Sequence, residues 1–523
     1  MADRAVDGQR PRSGAAASRA DLAATLRAYW PAIGFALSVG AVFFVHLPVL
    51  GHYFFNDDFV PLADISQRGT WDYIRDLFVM DDLTPNWRFL TGLVYLAEYR
   101  AFGLDAFPYF LVSVLVHTAT AGLLFWLLWR VLDDVWPAAF GSMLFGLTAA
   151  HVPTVGQITA FNNVLAAFLL LAAAVLLYEG LERRNIPLWL AASSICFAGA
   201  IAANESSAVS APLFGMLAVW KLPQGDGWVR DRAVWLRVAL VSLPYAALGG
   251  AALIGFGACD CTEANVYSRD DVLSNLWVYL GRLLYPIGME LPGSVHAAHK
   301  AAGGVVLAIA LLALMRGPAL ARISAAWLVI ALVPYLPLDL WSAQRYVYLA
   351  SVPFAMLGAV SLRELVRATT RFAPAAPALL AFGALSAIGL LSWQTWEQNQ
   401  TMAGASDRWR DLVTAIERSE IDPEAGSTVY LRGGPITDFF AQCAVMPALG
   451  QALWEDVRLF TSPPDALQPY RVRPGYVVYV FDYQDGRFVP GPPPSNDSSA
   501  AALPHVKPET KGNLCFAGPW EEQ

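Results

Sequence analysis

The sequence predicts an all-α polytopic membrane protein with about eleven transmembrane helices and a small C-terminal α/β domain. Three observations lead to this prediction. Of the 523 residues, 56% are hydrophobic and only 15% are charged, whereas soluble proteins average about 25% charged residues. Apolar runs long enough to cross a bilayer recur along most of the chain. Positive charge is concentrated in alternate loops between these runs, as membrane topology requires.

Residues 1–29 are polar and rich in Ala, Ser and Arg, which predicts a disordered arm. The apolar run after this arm lacks a small-residue cleavage site, so we expect an uncleaved first span. Two segments, 87–103 and 273–291, are apolar but interrupted by charge, and each could lie in the membrane interface. The spans predicted within the membrane domain, residues 30–396, are 31–50, 107–129, 135–151, 157–178, 186–203, 207–222, 236–258, 301–316, 322–340, 346–362 and 376–396.

The distribution of Lys and Arg predicts the orientation. Every loop on one side of the predicted bundle is basic, whereas loops on the other side are acidic or mixed. Because basic loops remain cytoplasmic, we expect a cytoplasmic N-terminus and an extracytoplasmic C-terminus. The Ala-, Arg- and Trp-rich composition favours a bacterial protein, so we expect residence in the plasma membrane. The basic residues of the arm and of these loops are Arg4, Arg10, Arg12, Arg19, Arg27, Arg130, Arg183, Arg184, Lys221, Arg230, Arg232, Arg237, Arg316, Arg322, Arg363, Arg367 and Arg371.

The tail, residues 397–523, changes in composition. SDRWRDLVTAIERSE has the pattern of an amphipathic helix, and STVYLRG and GYVVYVFDY have the composition of strands. These elements predict a small extracytoplasmic α/β domain. The five cysteines match neither a disulfide framework nor a zinc site. Cys443 and Cys515 would share an oxidising compartment and could pair.

Ionisable residues gather at the span ends that the topology places outside. Charges at a membrane boundary usually line a cavity or a functional site. Asp57 and Asp58 are adjacent, flanked by aromatic residues, and directly follow the first span. The complete group comprises Asp57, Asp58, Arg88, His151, Glu205, Arg282, His296, His299, Lys300 and Arg345.

Each of these residues also has a purely structural interpretation. The acidic pair and Glu205 could cap the helices that follow them. His151 could simply end a span, and Arg345 could anchor its helix at the interface. The joint pattern, rather than any single residue, favours a functional site.

Several short motifs in this region resemble those of one enzyme superfamily. NDD, residues 56–58, follows the first span, and NWRFL has Phe89 where Pro is usual. AHVP has Val152 inserted into a His-Pro element, and NE has Asn204 in place of Lys. QRYVYL opens a late span, and Gln and Asn precede a Trp in WQTWEQNQTMAGASDRW. In this order, the motifs resemble the GT-C membrane glycosyltransferases, in particular the protein O-mannosyltransferases and TPR-containing O-mannosyltransferases, over about residues 31–410.

The resemblance implies transfer of a sugar from a polyprenyl-phosphate donor to an extracytoplasmic protein, glycan or lipid acceptor. It assigns the catalytic base to Asp57 or Asp58, because a hydroxyl acceptor must lose a proton as it attacks. Cations near the leaving phosphate would stabilise its charge. The residues expected to bind phosphate are Arg345, Arg282, Arg88 and Lys300, and those expected to support the site are His151 and Glu205.

The resemblance implies no obligatory cofactor, since monophosphate donors generally need no metal, although the oligosaccharide-transferring branch uses one. Nothing in the composition indicates nucleic-acid binding. Two other functions remain open at this stage. A transporter or flippase of lipid-linked substrates would need polar residues deep within the spans. If the protein were a non-catalytic membrane scaffold, Asp57 and Asp58 would have no function.

Overall fold

In a computed structural model of the chain, helices form nearly all of the described part of the membrane region. The structure describes residues 14–78, 88–183, 186–222, 229, 231–258, 272–284, 297–338, 344–370, 373, 375–418, 428–432, 444, 458–462, 478–484 and 487–491. His296 and the cysteines 259, 261, 443 and 515 lie outside these ranges, and so does the predicted pairing of Cys443 with Cys515.

The helices follow the apolar runs because a backbone in lipid must satisfy its hydrogen bonds within its own segment. Their bounds are α1 Gly14–Val45, α2 Phe59–Gln67, α3 Thr70–Phe78, α4 Phe89–Phe102, α5 Ala106–Leu132, α6 Val135–Gly146, α7 Val152–Val155, α8 Phe161–Arg183, α9 Ile186–Ala203, α10 Ala211–Lys221, α11 Arg232–Ala258, α12 Val272–Leu284, α13 Ala297–Arg316, α14 Ala319–Leu332, α15 Tyr348–Thr369 and α16 Ala376–Arg418. Short 3₁₀ turns link many of them, including Asn56–Asp58, Ala149–His151, Ile158–Ala160, Glu205–Ser210, Val333–Tyr335 and Gln344–Val347.

The prediction of a helical polytopic membrane protein is confirmed. Within the described ranges, eight helices are long and apolar enough to cross a membrane, or nine if the bent pair Val135–Gly146 and Ala149–Val155 forms one span. Two shorter apolar helices are also present. Val272–Leu284 covers residues 273–284 of the ambiguous segment, whose remainder lies outside the described ranges, and Ala319–Tyr335 covers most of the predicted span 322–340. The predicted span 207–222 is an 11-residue helix, α10, preceded by a 3₁₀ turn.

The helices differ in how far they lie inside the bundle. Of the most apolar window in each, 72% is buried in Ile158–Arg183 and 61% in Ala106–Leu132, but none in Ala376–Arg418. Helices α5 and α8 therefore form the centre, and the membrane part of α16 lies on the surface. Gly141 of α6 permits a close approach, because a Cβ there would lie 2.9 Å from Ala359 Cβ in α15.

The segment after α1 folds into short helices rather than a span. Residues 59–78 form two helices, α2 and α3, which are separated at Arg68 and Gly69. On α3, Tyr73 is buried whereas Trp71 is exposed, as expected for an amphipathic helix. Segment 87–103 contains α4, which is 14 residues long and too short to span by length alone.

The last helix joins the membrane region to the tail. Helix α16 has 43 residues and continues without interruption through the predicted domain boundary at 396/397. The tail contains a sheet of order β2-β1-β3-β4, in which β3 and β4 are antiparallel and the other pairs are parallel. Its strands are β1 Thr428–Arg432, β2 Arg458–Ser462, β3 Val478–Gln484 and β4 Arg487–Pro490.

Candidate active site

Aromatic packing fixes the acidic turn at the end of the first span. Phe54 and Phe59, on either side of the turn, are fully buried. Phe54 contacts Tyr109 edge-on, with ring centroids 5.1 Å apart, and Phe59 packs against Trp409, at 5.3 Å. Asn56 adopts a left-handed backbone conformation, with φ of 51°, which Asn tolerates better than most residues. The two aspartates that follow are therefore held in one defined geometry.

Helix α16 holds the approach to this turn from the other side. The backbone N–H of Tyr53 donates to Ser406 Oγ at 3.0 Å. Nε2 of His52 donates to the Asn399 carbonyl at 2.9 Å. Asn399 and Ser406 both lie in the WQTWEQNQTMAGASDRW motif, so this motif packs against the segment directly before the NDD motif.

Asp58 points into the protein. It is fully buried, and its Oδ1 accepts hydrogen bonds from both the backbone N–H and the hydroxyl of Thr159, each at 3.0 Å. Its Oδ2 accepts from the N–H of Phe55 at 3.3 Å. Burial, and then the charge of Asp57, raise the pKa of Asp58 well above its usual range, despite these donors. Asp58 is thus placed to hold the turn against the segment before α8.

Asp57 points the other way, towards solvent and towards a cation. Its Oδ2 lies 3.2 Å from Nη1 of Arg345, and each side chain is about one-third exposed. Arg345 belongs to the 3₁₀ turn immediately before α15, and its guanidinium lies 5.6 Å from the ring centroid of Tyr346. An accessible carboxylate and an accessible guanidinium therefore share one edge of the site.

A second ion pair joins two other predicted residues. Arg88, at the start of α4, binds Glu205 through two hydrogen bonds, Nε to Oε2 at 2.8 Å and Nη2 to Oε1 at 2.7 Å. Burial opposes ionisation of Glu205, but the charge and hydrogen bonds of Arg88 outweigh it and lower the pKa of Glu205. This bidentate geometry is the strongest form of a guanidinium–carboxylate contact.

Tyrosines connect the two ion pairs. Tyr335 stacks on Tyr346, with ring centroids 4.7 Å apart. The hydroxyls of Tyr335 and Ser206, the neighbour of Glu205, lie 2.6 Å apart. Tyr279 of α12 meets Tyr346 edge-on at 6.4 Å. These tyrosine contacts bring together the turns Glu205–Ser210, Val333–Tyr335 and Gln344–Val347, which are far apart in the sequence.

Arg282 and Lys300 differ sharply in environment. Arg282 is only 9% exposed, and its Nε and Nη1 have no hydrogen-bond partner within the described ranges. It lies three residues after Tyr279 on α12. Lys300 is exposed on α13 and forms no ion pair with the described residues. Of the two, only Arg282 presents a desolvated cation beside the tyrosines.

His151 lies beneath the site rather than on its surface. It is fully buried, and its Nε2 contacts Ser351 Oγ at 2.8 Å. Its ring packs on Tyr348, with centroids 4.5 Å apart, and the Tyr348 hydroxyl donates to Nδ1 of His117 at 2.7 Å. These contacts anchor the start of α15, three residues after Arg345.

Solved structures share this architecture. The oligosaccharyltransferase of Archaeoglobus fulgidus in the apo form matches 84% of this chain and 65% of its own, with 12% identity and a TM-score of 0.51. The oligosaccharyltransferase AglB from Archaeoglobus fulgidus, in complex with an inhibitory peptide and a dolichol-phosphate, matches 82% of this chain and 64% of its own, with 12% identity and a TM-score of 0.50. The chain has the GT-C fold. It spans slightly less than two thirds of the archaeal enzyme's length.

A third GT-C structure, ArnT from Cupriavidus metallidurans bound to undecaprenyl phosphate, matches 81% of this chain and 85% of its own, with 14% identity and a TM-score of 0.48. No protein-family model matches the sequence. No curated protein matches it significantly.

Several residues of the candidate active site have no signal in the sequence. Thr159 holds Asp58 from 101 residues away, and the hydroxyl of Tyr95 donates to the carbonyl of Ile158 beside it. Tyr335 and Ser206 connect the loops but sit in ordinary apolar or polar stretches. Only the hydroxyl of Tyr348, within the QRYVYL motif, could have been singled out from its surroundings.

The described donor set does not fit a divalent metal. No three His, Cys, Asp or Glu side chains converge within the described ranges. Asp57 faces a guanidinium, and both oxygens of Asp58 accept hydrogen bonds from the protein. The described part of the site instead offers two partly exposed carboxylates, each paired with a guanidinium, and one buried arginine.

Proposed function

We propose that this protein is a membrane glycosyltransferase that moves a sugar from a polyprenyl-phosphate donor to an extracytoplasmic acceptor. The observation that carries the proposal is the accessible Asp57 carboxylate, 3.2 Å from Arg345. Support comes from the GT-C fold and from the dolichol-phosphate and peptide bound by the archaeal enzyme. The proposal places the N-terminus in the cytoplasm, the site outside, and the chain in the plasma membrane.

In the proposed reaction Asp57 is the base. The acceptor oxygen attacks the anomeric carbon, its proton passes to Asp57, and the bond from that carbon to the phosphate oxygen breaks. The electron pair of this bond remains on the phosphate, which leaves as a polyprenyl phosphate with one further negative charge. Asp57 then returns its proton to solvent.

The cations act on the leaving group. Arg345 would turn from Asp57 to the donor phosphate, which leaves the carboxylate free to meet the acceptor. Arg282, desolvated and without a described partner, would add a second positive charge, and charge is stabilised most strongly in a site that excludes water. Arg88, held by Glu205, would shape the wall of the site, with Lys300 at its rim.

The two aspartates would therefore have separate roles. Asp57 meets substrate, whereas Asp58 holds the turn in register through Thr159 and Phe55. His151 would position Arg345 by fixing the start of α15. None of these proposed roles uses a metal.

The test uses purified protein in proteoliposomes with a panel of polyprenyl-phosphate monosaccharides and peptide, glycan and lipid acceptors. Asp57→Asn should reduce transfer at least about 100-fold, the usual contribution of a general base, with unchanged thermal stability. Asp58→Asn should instead lower the unfolding temperature. Asp407→Asn, a matched change at an exposed residue of α16, is the control and should change neither.

Two results would contradict the proposal. If Asp57→Asn transfers sugar as well as the wild type, Asp57 is not the base. If the wild type consumes no donor but moves lipid-linked sugar across the bilayer, the protein is a transporter. The buried histidines do not favour that function, because His117 and His151 are packed against aromatic rings and bonded to the protein.

A further inference from the structure

The other end of the bundle carries a separate ionic cluster on the last turns of α5 and α8. Glu179 of α8 is only 2% exposed. Its Oε1 lies 3.1 Å from Nε of Arg130, and its Oε2 lies 2.6 Å from Nε of Arg183. One buried carboxylate thus orients two arginines, which we call the Arg130–Arg183 clamp.

The clamp is remote from the candidate active site. Helix α8 begins at Phe161, two residues after the Thr159 that binds Asp58, and ends at Arg183. Its 23 residues extend about 35 Å at 1.5 Å per residue. The clamp therefore faces the opposite membrane surface and plays no part in the proposed sugar transfer.

The geometry of the clamp leaves its phosphate-binding atoms free. Both arginines bind Glu179 through Nε, and their terminal nitrogens donate no hydrogen bond to the described residues. The side chains remain 41% and 59% exposed. Two guanidiniums against one carboxylate leave a net positive charge, and each outer fork matches two oxygens of a phosphate.

Aromatic residues place the clamp at the level of lipid headgroups. The Arg183 guanidinium lies 5.2 Å from the ring centroid of Trp189, and that of Arg130 lies 6.0 Å from that of Trp126. Nearby, Lys221 Nζ lies 4.5 Å from the ring centroids of both Tyr178 and Trp220. Trp and Tyr concentrate where the apolar core of a membrane meets its headgroups.

We propose that the Arg130–Arg183 clamp binds the phosphate headgroup of an anionic phospholipid in the leaflet opposite the candidate active site. A lipid is favoured over free phosphate because the forks sit at the ends of two spans, among interfacial aromatic rings. Glu179 acts as a positioning residue, since it aims both arginines without touching the lipid. The lipid stays bound through charge-assisted hydrogen bonds to its phosphate oxygens.

The experiment measures lipid retained by the delipidated full-length protein in native mass spectrometry, after titration with phosphatidylglycerol or phosphatidylcholine. The wild type should retain phosphatidylglycerol at least tenfold more tightly than phosphatidylcholine. Arg130→Lys with Arg183→Lys keeps the charge that faces Glu179 but removes both forks, and should lose most of this preference. The matched control is Arg367→Gln, which removes an exposed arginine from the last turns of α15, at the same end of the bundle as the clamp. This variant should bind the lipid as the wild type does.

The proposal fails if the wild type binds both lipids equally, or if the double lysine variant keeps the full preference. It also fails if inorganic phosphate at millimolar concentration displaces the lipid completely, because the site would then recognise free phosphate. Equal loss in Arg367→Gln would show that general surface charge, rather than the clamp, attracts the lipid. The thermal unfolding temperature of each variant confirms that the protein measured is folded.

Discussion

The two ends of the bundle use the same chemical groups in opposite arrangements. In the candidate active site, Asp57 and Glu205 each pair with their own arginine, and both carboxylates are partly exposed. At the other end, Glu179 is buried and shared by two exposed arginines. The first arrangement leaves a carboxylate that can meet a substrate, whereas the second leaves only cations at the surface. Exposure of the acidic partner thus distinguishes a candidate catalytic end from a candidate lipid-binding end.

The largest expected effect at the acidic end comes from Arg345→Gln. It should reduce sugar transfer by about 100-fold or more, as seen when one preorganised donor to a developing charge is lost. Arg345→Lys keeps the charge but loses the planar fork, and should reduce transfer less. Initial rates in proteoliposomes measure both. Unchanged transfer in Arg345→Gln would remove this arginine from the proposed mechanism.

At the opposite end of the bundle, removal of one member of an ion pair should lower the stability of the protein rather than its sugar transfer. Glu179→Ala removes the carboxylate shared by two partly exposed guanidiniums, and we expect a loss of about 1.5 kcal/mol in the free energy of unfolding, as for charged hydrogen bonds that solvent partly screens. Equilibrium unfolding in detergent measures the loss, while sugar transfer by the remaining folded protein should be unchanged. A variant as stable as the wild type would mean that Glu179 does not hold the arginines in place.

The pH dependence of stability tests the effect of burial on a carboxylate, separately from the effect of an ion pair. Glu98 of α4 is 8% exposed, and burial raises its pKa to about 8. Because its folded-state pKa exceeds its unfolded value, Glu98 favours folding at low pH, and this contribution is lost as the pH rises from about 4.5 to about 8. Glu98→Gln should therefore be more stable than the wild type at pH 8 and similar to it at pH 4. Thermal unfolding at both pH values gives the answer, and a constant difference between the two proteins would contradict it.

The smallest effect is expected where both partners are exposed. Arg367 and Glu364 form a surface pair in the last turns of α15, 3.3 Å apart. Arg367→Gln should change the free energy of unfolding by less than about 0.5 kcal/mol, because water screens such pairs. A loss comparable with that of Glu179→Ala would show that exposure does not separate the two kinds of ion pair.

The local sequence pattern predicts most of the membrane fold and predicts that the ionisable residues gather at one end of the bundle. Apolar runs predict helices because a lipid-exposed backbone has no other way to satisfy its hydrogen bonds. The same patterns could not divide the labour between Asp57 and Asp58, since adjacent aspartates look identical along the chain. Nor could they show that α16 runs unbroken from membrane to tail, because its polar half and its apolar half read as separate segments.

The sequence by itself determined a polytopic helical protein with an acidic turn after the first span and basic loops on the other side. Only the tertiary structure decided that Asp58 is buried against Thr159, that Asp57 meets Arg345, 288 residues away, and that Arg88 meets Glu205. Hydropathy is a property of one helical turn or one span, so it can be assessed from the local sequence. Hydrogen-bond and ion-pair partners are determined by helix packing. This packing brings together segments whose sequences do not indicate that they will be in contact.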